Sequence, residues 1–319
     1  MAGWGRAKWP LLRRTLAGGF VILVIVLLGF AAARVNWEEV WDAMTRLPAG
    51  ALWQAGALTL ASYLVYACYD LLGKRYTGHC LSWGNSYLIG AVAYAFLMSL
   101  GSSVGGLGLR LRLYTRAGVP AADALRVFGL AVATNWIGYF LIAGGVFMLE
   151  PLALPREWSM GASALRMAGA VMLLLALAYI PLCFLSRKRE WLLWRQHRIS
   201  LPSGRLALLQ SLAAFANWCL MGLVLYVLLR YRLPYLAALQ VILISAVAGL
   251  VIRLPAGLGV LETVAVALLA SPDLPKTEIL ASVLAYRAVY YLAPLTLAAV
   301  WYLLCEARIR LRDGGDVSA

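Results

Sequence analysis

Histidine and acidic residues are scarce in this chain: 2 His and 14 Asp plus Glu among 319 residues. Charged residues make up 13% of the composition, where soluble domains carry about 25%. No HExxH, Ser-His or Cys-His arrangement and no carboxylate dyad occurs, so the usual constellations of hydrolytic chemistry are lacking and no enzyme activity is expected. The two histidines, His79 and His197, lie in basic loops, and the 5 cysteines show no paired spacing. No metal site and no cofactor is expected from such a set. The cysteines read as free thiols, four of them in or beside apolar runs. The longest loop, 186–205, is shorter than the roughly 40 residues that small autonomous folds need. Whatever the chain does, it does within a bilayer or at its faces.

Apolar residues, by contrast, make up 63% of the chain, and the mean hydropathy is +0.81. A soluble domain is about 45–50% apolar. The chain is therefore an all-α polytopic membrane protein, and neither a disordered chain nor a nucleic-acid reader. Its net charge of +14 fits the excess of Lys and Arg in cytoplasmic loops of such proteins.

Eight apolar runs have the length of a span: 16–33, 50–73, 86–109, 125–149, 167–185, 206–229, 236–270 and 279–304. A span needs about 20 residues. The first run could also be a secretory leader ending at Ala31-Ala32-Ala33; a retained first helix is the commoner outcome. If all eight runs cross once from a cytoplasmic N-terminus, Lys and Arg divide 13 inside against 12 outside. If the third and seventh runs enter and leave on one side, the division becomes 18 against 7. The orientation rule selects the second arrangement. It has six full spans and two same-side, re-entrant hairpins, 86–118 and 236–271, with both termini cytoplasmic.

Both runs also have reasons to break. A 35-residue helix would measure about 52 Å, well beyond the ~30 Å hydrocarbon core. Pro255, Gly257 and Gly259 interrupt run 236–270. Gly105, Gly106 and Gly108 close the earlier one, with a basic return leg to Arg116. The two breaks repeat each other: Gly105-Gly106-Leu107-Gly108 lies 151 residues before Ala256-Gly257-Leu258-Gly259. Paired broken segments in inverted repeats point to a transporter with a midplane site. The division is then a tail 1–15, a first span 16–33, one half at 50–149, an inverted half at 167–304, and a tail 305–319. Two glycine-softened ordinary spans are the alternative.

Charged groups inside spans are costly and mark candidate sites. Arg110, Arg112, Arg253 and Arg287 stand against Asp70 and Glu262. Two carboxylates cannot neutralise four guanidinia, and the surplus points to an anionic ligand such as a phosphate, which a guanidinium grips with parallel donors. Glu262 has Arg253 as a nearby partner, and Asp70 lies beside Lys74 and Arg75 at a span end. Tyr290 and Tyr291 follow Arg287 at helical spacing and share its face. Asn135 and Asn217, each followed by Trp, read first as interhelical hydrogen-bonding groups. Val35–Leu47 reads as an interfacial amphipathic helix.

Several of these stretches resemble a known family. They are Asn36-Trp37-Glu38-Glu39-Val40-Trp41, Tyr66-Ala67-Cys68-Tyr69-Asp70, Val104 to Gly108 with Arg110, Arg112, Tyr114 and Arg116, and Thr134-Asn135-Trp136. Arg253 to Glu262 and Ala285-Tyr286-Arg287 complete the set. Together they resemble the lysylphosphatidylglycerol synthase transmembrane-region family, and closely its stand-alone members of the bacterial inner membrane. In two-domain relatives this region is taken to flip aminoacylated phospholipid while a separate domain makes it. The resemblance implies a lipid translocase in the inner membrane, with membrane phospholipids as partners and no nucleic acid. Synthase activity is not expected from a chain that stops at Ala319. The alternative is a non-transporting partner of a phospholipid-synthesising enzyme.

Overall fold

The computed structural model describes residues 37–150, 161–185, 190–193, 197–252 and 259–315, with a few positions between 19 and 33. Most of the expected first span, the N-terminal tail 1–15 and the break residues Arg253, Pro255 and Gly257 lie outside the described residues.

The chain is helical. Helix α1 (Trp37–Arg46) precedes α2 (Ala49–Thr77) and α3 (Trp83–Gly101). A π-helical segment, Ser102–Gly108, leads into α4 (Leu109–Arg116), and α5 (Ala121–Leu149) and α6 (Ala162–Leu185) follow. The second part holds α7 (Gly204–Leu228), α8 (Tyr235–Ile252), α9 (Val260–Leu269) and α10 (Lys276–Tyr286). A second π-helical segment, Arg287–Leu292, joins α10 to α11 (Ala293–Gly315). A short antiparallel ribbon, β1 (Glu190–Leu193) with β2 (His197–Ser200), sits between α6 and α7. Among the described residues six helical stretches are long and apolar enough to cross a membrane.

Local chemistry places the helix ends. Ser82 and Ser203 accept the backbone N–H groups of Asn85 and Leu206 through their hydroxyls, at 3.2 and 3.4 Å, as N-caps do. Gly78, with φ of 71°, closes α2, a conformation that costs glycine little. Small residues let the helices approach closely. Gly144 of α5 faces the backbone of Gly169 and Leu173 on α6, and Gly138 faces Ala214 on α7. Close backbone approach is a main source of helix adhesion in lipid.

The chain doubles back at Gly101, whose φ is 81° and ψ 174°. Nine residues of continuous helix would put Gly105 about 13 Å along the axis from Phe96. Instead Gly105 lies against the Phe96 carbonyl, so closely that a Cβ would overlap it. The return leg runs along α3 and ends with Tyr114 edge-on to His79, ring centres 5.2 Å apart. Helices α8 and α9 flank residues 253–258, which lie outside the described residues. The flanks of this helix pair are tied by Arg232 and Glu278 at 3.3 Å.

A shift of 151 residues carries α2 onto 200–228, against the observed Gly204–Leu228. The same shift carries α3 onto 234–252, against Tyr235–Ile252. The equivalent helices α2 and α7 pack antiparallel. Leu72 clusters with Leu206, Ser62 bonds Asn217, and Gln54 meets Tyr231. The two parts of the chain related by this shift are also intertwined. Tyr139 of the first half packs on Trp218 and donates to the Leu243 carbonyl at 3.1 Å. Its equivalent, Tyr290, meets Ser62, Tyr63 and Tyr94 of the first half.

Candidate functional site

Three of the four candidate arginines are described, and each already holds a carboxylate. Arg110 grips Asp70 with two parallel donors, Nε to Oδ1 at 3.0 Å and Nη2 to Oδ2 at 2.8 Å. Both side chains are at most 1% exposed, and the Tyr114 hydroxyl donates to Oδ1 at 3.0 Å. Gly90 makes room for the carboxylate: a Cβ there would stand 2.7 Å from Oδ2. Asp70 is therefore a buried partner of the return leg, not a surface group beside Lys74 and Arg75.

Arg112 donates to Glu306 of α11 at 3.1 Å, and Arg116 binds the other oxygen of the same carboxylate. Glu306 falls in the stretch read from sequence as a tail, since the apolar run stops at 304. The helix continues past it to Gly315 and returns the carboxylate to the bundle. Each described candidate arginine thus has a carboxylate partner, with Arg112 and Arg116 sharing that of Glu306.

Glu262, in the first turn of α9, pairs with Arg287; Arg253, its expected partner, lies outside the described residues. Arg287 Nη2 donates to Oε2 at 3.0 Å, and Nε donates to Oε1. Gly259, at φ of 81°, starts that helix and sets where the carboxylate points. Arg287 begins the second π-helical segment. The wider turn of a π-helix, bonded i to i+5, separates the two tyrosines that follow. Tyr291 stays over the guanidinium, 5.7 Å from its carbon to the ring centre. Tyr290 turns away, and its hydroxyl lies 2.6 Å from Ser62 Oγ and 2.8 Å from the Tyr94 hydroxyl. The two do not share the face of Arg287.

A cavity of about 310 Å³ opens between the two halves. Gly101 and Ser102 wall it from the turn at Gly101, Ser245 and Gly249 from α8, and Leu261 from α9. Arg287 and Tyr291 form one side, and Asn135, Trp136 and Trp218 another. Of the sequence-derived candidates, Arg287, Tyr291 and Asn135 line this space. Glu262 reaches it through Arg287. Gly105 and Gly106 support the reversal, and Gly108 ends its π-helical segment. Arg110, Arg112 and Asp70 belong to the two ion-pair clusters on the return leg. Asn217 is buried and accepts from Ser62 Oγ at 2.7 Å, an interhelical bond of the expected kind. The sequence does not single out Ser62, Tyr94 or Glu306. The spacing of Tyr139 and Tyr290, equal to that of the glycine breaks, is the signal that could have found the interlocking.

Outside the spans, His79 is buried with both ring nitrogens lacking a partner among the described residues. Burial and then the Lys74 ammonium hold its imidazole below the usual range, while Asp123 and Asp70 oppose the shift.

Comparison with known proteins agrees with this architecture. The family model for the lysylphosphatidylglycerol synthase TM region matches residues 16–298. The inner membrane protein YbhN of Escherichia coli (strain K12) is 40% identical over 303 residues, 95% of each chain. The uncharacterized protein slr0712 of Synechocystis is 28% identical over 291 residues, 89% of each chain. The chain is a multi-pass membrane protein and belongs to the lysylphosphatidylglycerol synthase transmembrane-region family.

Proposed function

We propose that this protein is a lipid translocase of the bacterial inner membrane. It takes the polar headgroup of a phospholipid into the cavity between its inverted halves and passes it from one leaflet to the other. The observation that carries the reading is the cavity itself, which the Gly101 turn, α8 and α9 wall and which has an ion pair on its side. A broken backbone at membrane depth is tolerated where it lines a polar space, and inverted halves give two related ways of opening it. Arg287 meets the headgroup phosphate, and Glu262 holds the guanidinium in the empty state.

Both reversals are hairpins that enter and leave on one side, the first from the cytoplasm and the second from outside. The turn at Gly101 and the joined flanks support this. In a cysteine-free background, cysteines at Ala117 and Glu190 are then labelled only from the cytoplasm, and one at Asp273 only from outside. Labelling of position 117 from outside rejects the arrangement, since eight simple crossings put positions 117 and 190 both there.

The function is tested by reconstituting the purified protein in vesicles and following acyl-labelled lipids between leaflets. Faster exchange than in empty vesicles is expected, with loss of it in Arg287→Gln while the protein remains folded. No acceleration for any phospholipid, together with co-purification of a lipid-synthesising enzyme, would instead make it a non-transporting partner.

A further inference from the structure

We propose that the cavity selects a small zwitterionic headgroup: a primary ammonium joined to a phosphate by a short linker, as in an aminoethyl phosphate. This rests on the translocase reading and narrows its substrate.

Size is the first argument. A space of 310 Å³, about ten times the ~30 Å³ share of one water molecule, admits a compact headgroup such as an aminoethyl phosphate, of about eight non-hydrogen atoms. Two acyl chains are larger and stay outside, in the lipid.

Charge is the second. Arg287 already carries Glu262 on two of its nitrogens, so the pair is neutral, with side chains only 9% and 19% exposed. A phosphate that takes the guanidinium fork leaves the Glu262 carboxylate without that cation. A purely anionic headgroup then puts a second negative charge beside a poorly hydrated carboxylate, which is costly. A zwitterion brings its own ammonium. One ion pair becomes two, and the site remains neutral without taking up a proton.

The walls favour the same guest. Trp136, Tyr139, Trp218, Tyr286 and Tyr291 line the cavity, and aromatic faces attract ammonium groups. Ser245 and Tyr286 carry buried hydroxyls with no partner among the described residues, and Asn135 adds an amide. These groups can hydrogen-bond a phosphate or a primary ammonium.

The test uses the full chain in vesicles of phosphatidylcholine with three acyl-labelled probes: phosphatidylethanolamine, phosphatidylglycerol and N-acetylated phosphatidylethanolamine. The first is expected to cross at least about tenfold faster than the others, a difference of ~1.4 kcal/mol in barrier. Glu262→Gln brings the three rates together, with its melting midpoint in detergent measured alongside. Phosphatidylglycerol or the N-acetylated lipid crossing as fast as phosphatidylethanolamine in the unmodified protein overturns the proposal and leaves the translocase standing. No probe crossing at all overturns both. Soluble glycerophosphoethanolamine raising the melting midpoint while no lipid crosses assigns the site to a soluble compound, which also overturns it.

Discussion

Asp70 has its two oxygens committed to the Nε and Nη2 of one buried guanidinium. Removing one partner of such a pair strands the other charge, at a cost of about 3–5 kcal/mol. Asp70→Asn is expected to lower the melting midpoint in detergent sharply. Asp70→Leu combined with Arg110→Met should recover most of it, because an apolar pair of similar volume avoids desolvating either charge. No recovery in the double variant would show that the pair does more than neutralise itself. His79 gives a pH signature. Its folded imidazole lies below the usual value, and the unfolded one titrates near 6.5. The unfolded chain therefore binds the proton first, so stability is complete above about pH 6.5 and falls as the pH drops below it. Lys74 adds to this, and Asp70 and Asp123 reduce it. Melting from pH 7.5 to 5.5 should show the fall, and His79→Gln should flatten it. At this scale the sequence disclosed which residues are charged inside the membrane but not who holds whom. Glu262 and Arg287 are 25 positions apart, and Glu306 is 194 from Arg112. Helical spacing has no reach over such distances, and the end of an apolar run hid Glu306 in a tail.

At the scale of elements, the first reversal depends on one missing methylene more than on propensity. A Cβ at Gly105 would meet the backbone of Phe96 and Leu97, which cannot move aside as a side chain can. Gly105→Ala should cost more than the ~1–3 kcal/mol of ordinary overpacking and reduce the yield of monodisperse protein. Gly145→Ala is the control. Nothing lies within 4 Å of a Cβ there, and alanine is the better helix former. Equal losses from both would mean that the return leg does not press on α3. The glycine cluster was legible in the sequence, because loss of side chains at 105, 106 and 108 has few uses other than a break or a close approach. The turn itself lies earlier, at Gly101, and the cluster belongs to the π-helical return. Composition marks a break, but it does not tell the residue with positive φ from those that pack against the incoming leg.

For the whole molecule, charge counting and the 151-residue spacing led to two inverted halves, and α2 and α7 do pack antiparallel. Nothing local could announce the interlocking, in which each half completes the packing of the other. Tyr290 is enclosed by Ser62, Tyr63 and Tyr94, and Tyr139 by Trp218 and Leu243. Residues 1–155 and 156–319 made as separate chains should each fail to give a stable product, and should co-purify when made together. A stable first half on its own would refute the mutual dependence.

The interlocking also fixes a schedule. Ser62 and Tyr290 are 228 residues apart, and at about 5–20 residues per second the ribosome needs roughly ten to fifty seconds to pass from one to the other. Through that interval the hydroxyls of Ser62, Tyr63 and Tyr94 are in the bilayer without the group that later joins them. The newborn first half waits, open on one flank, for a segment near the far end of the message, and its exposure to membrane proteases is set by the rate of translation.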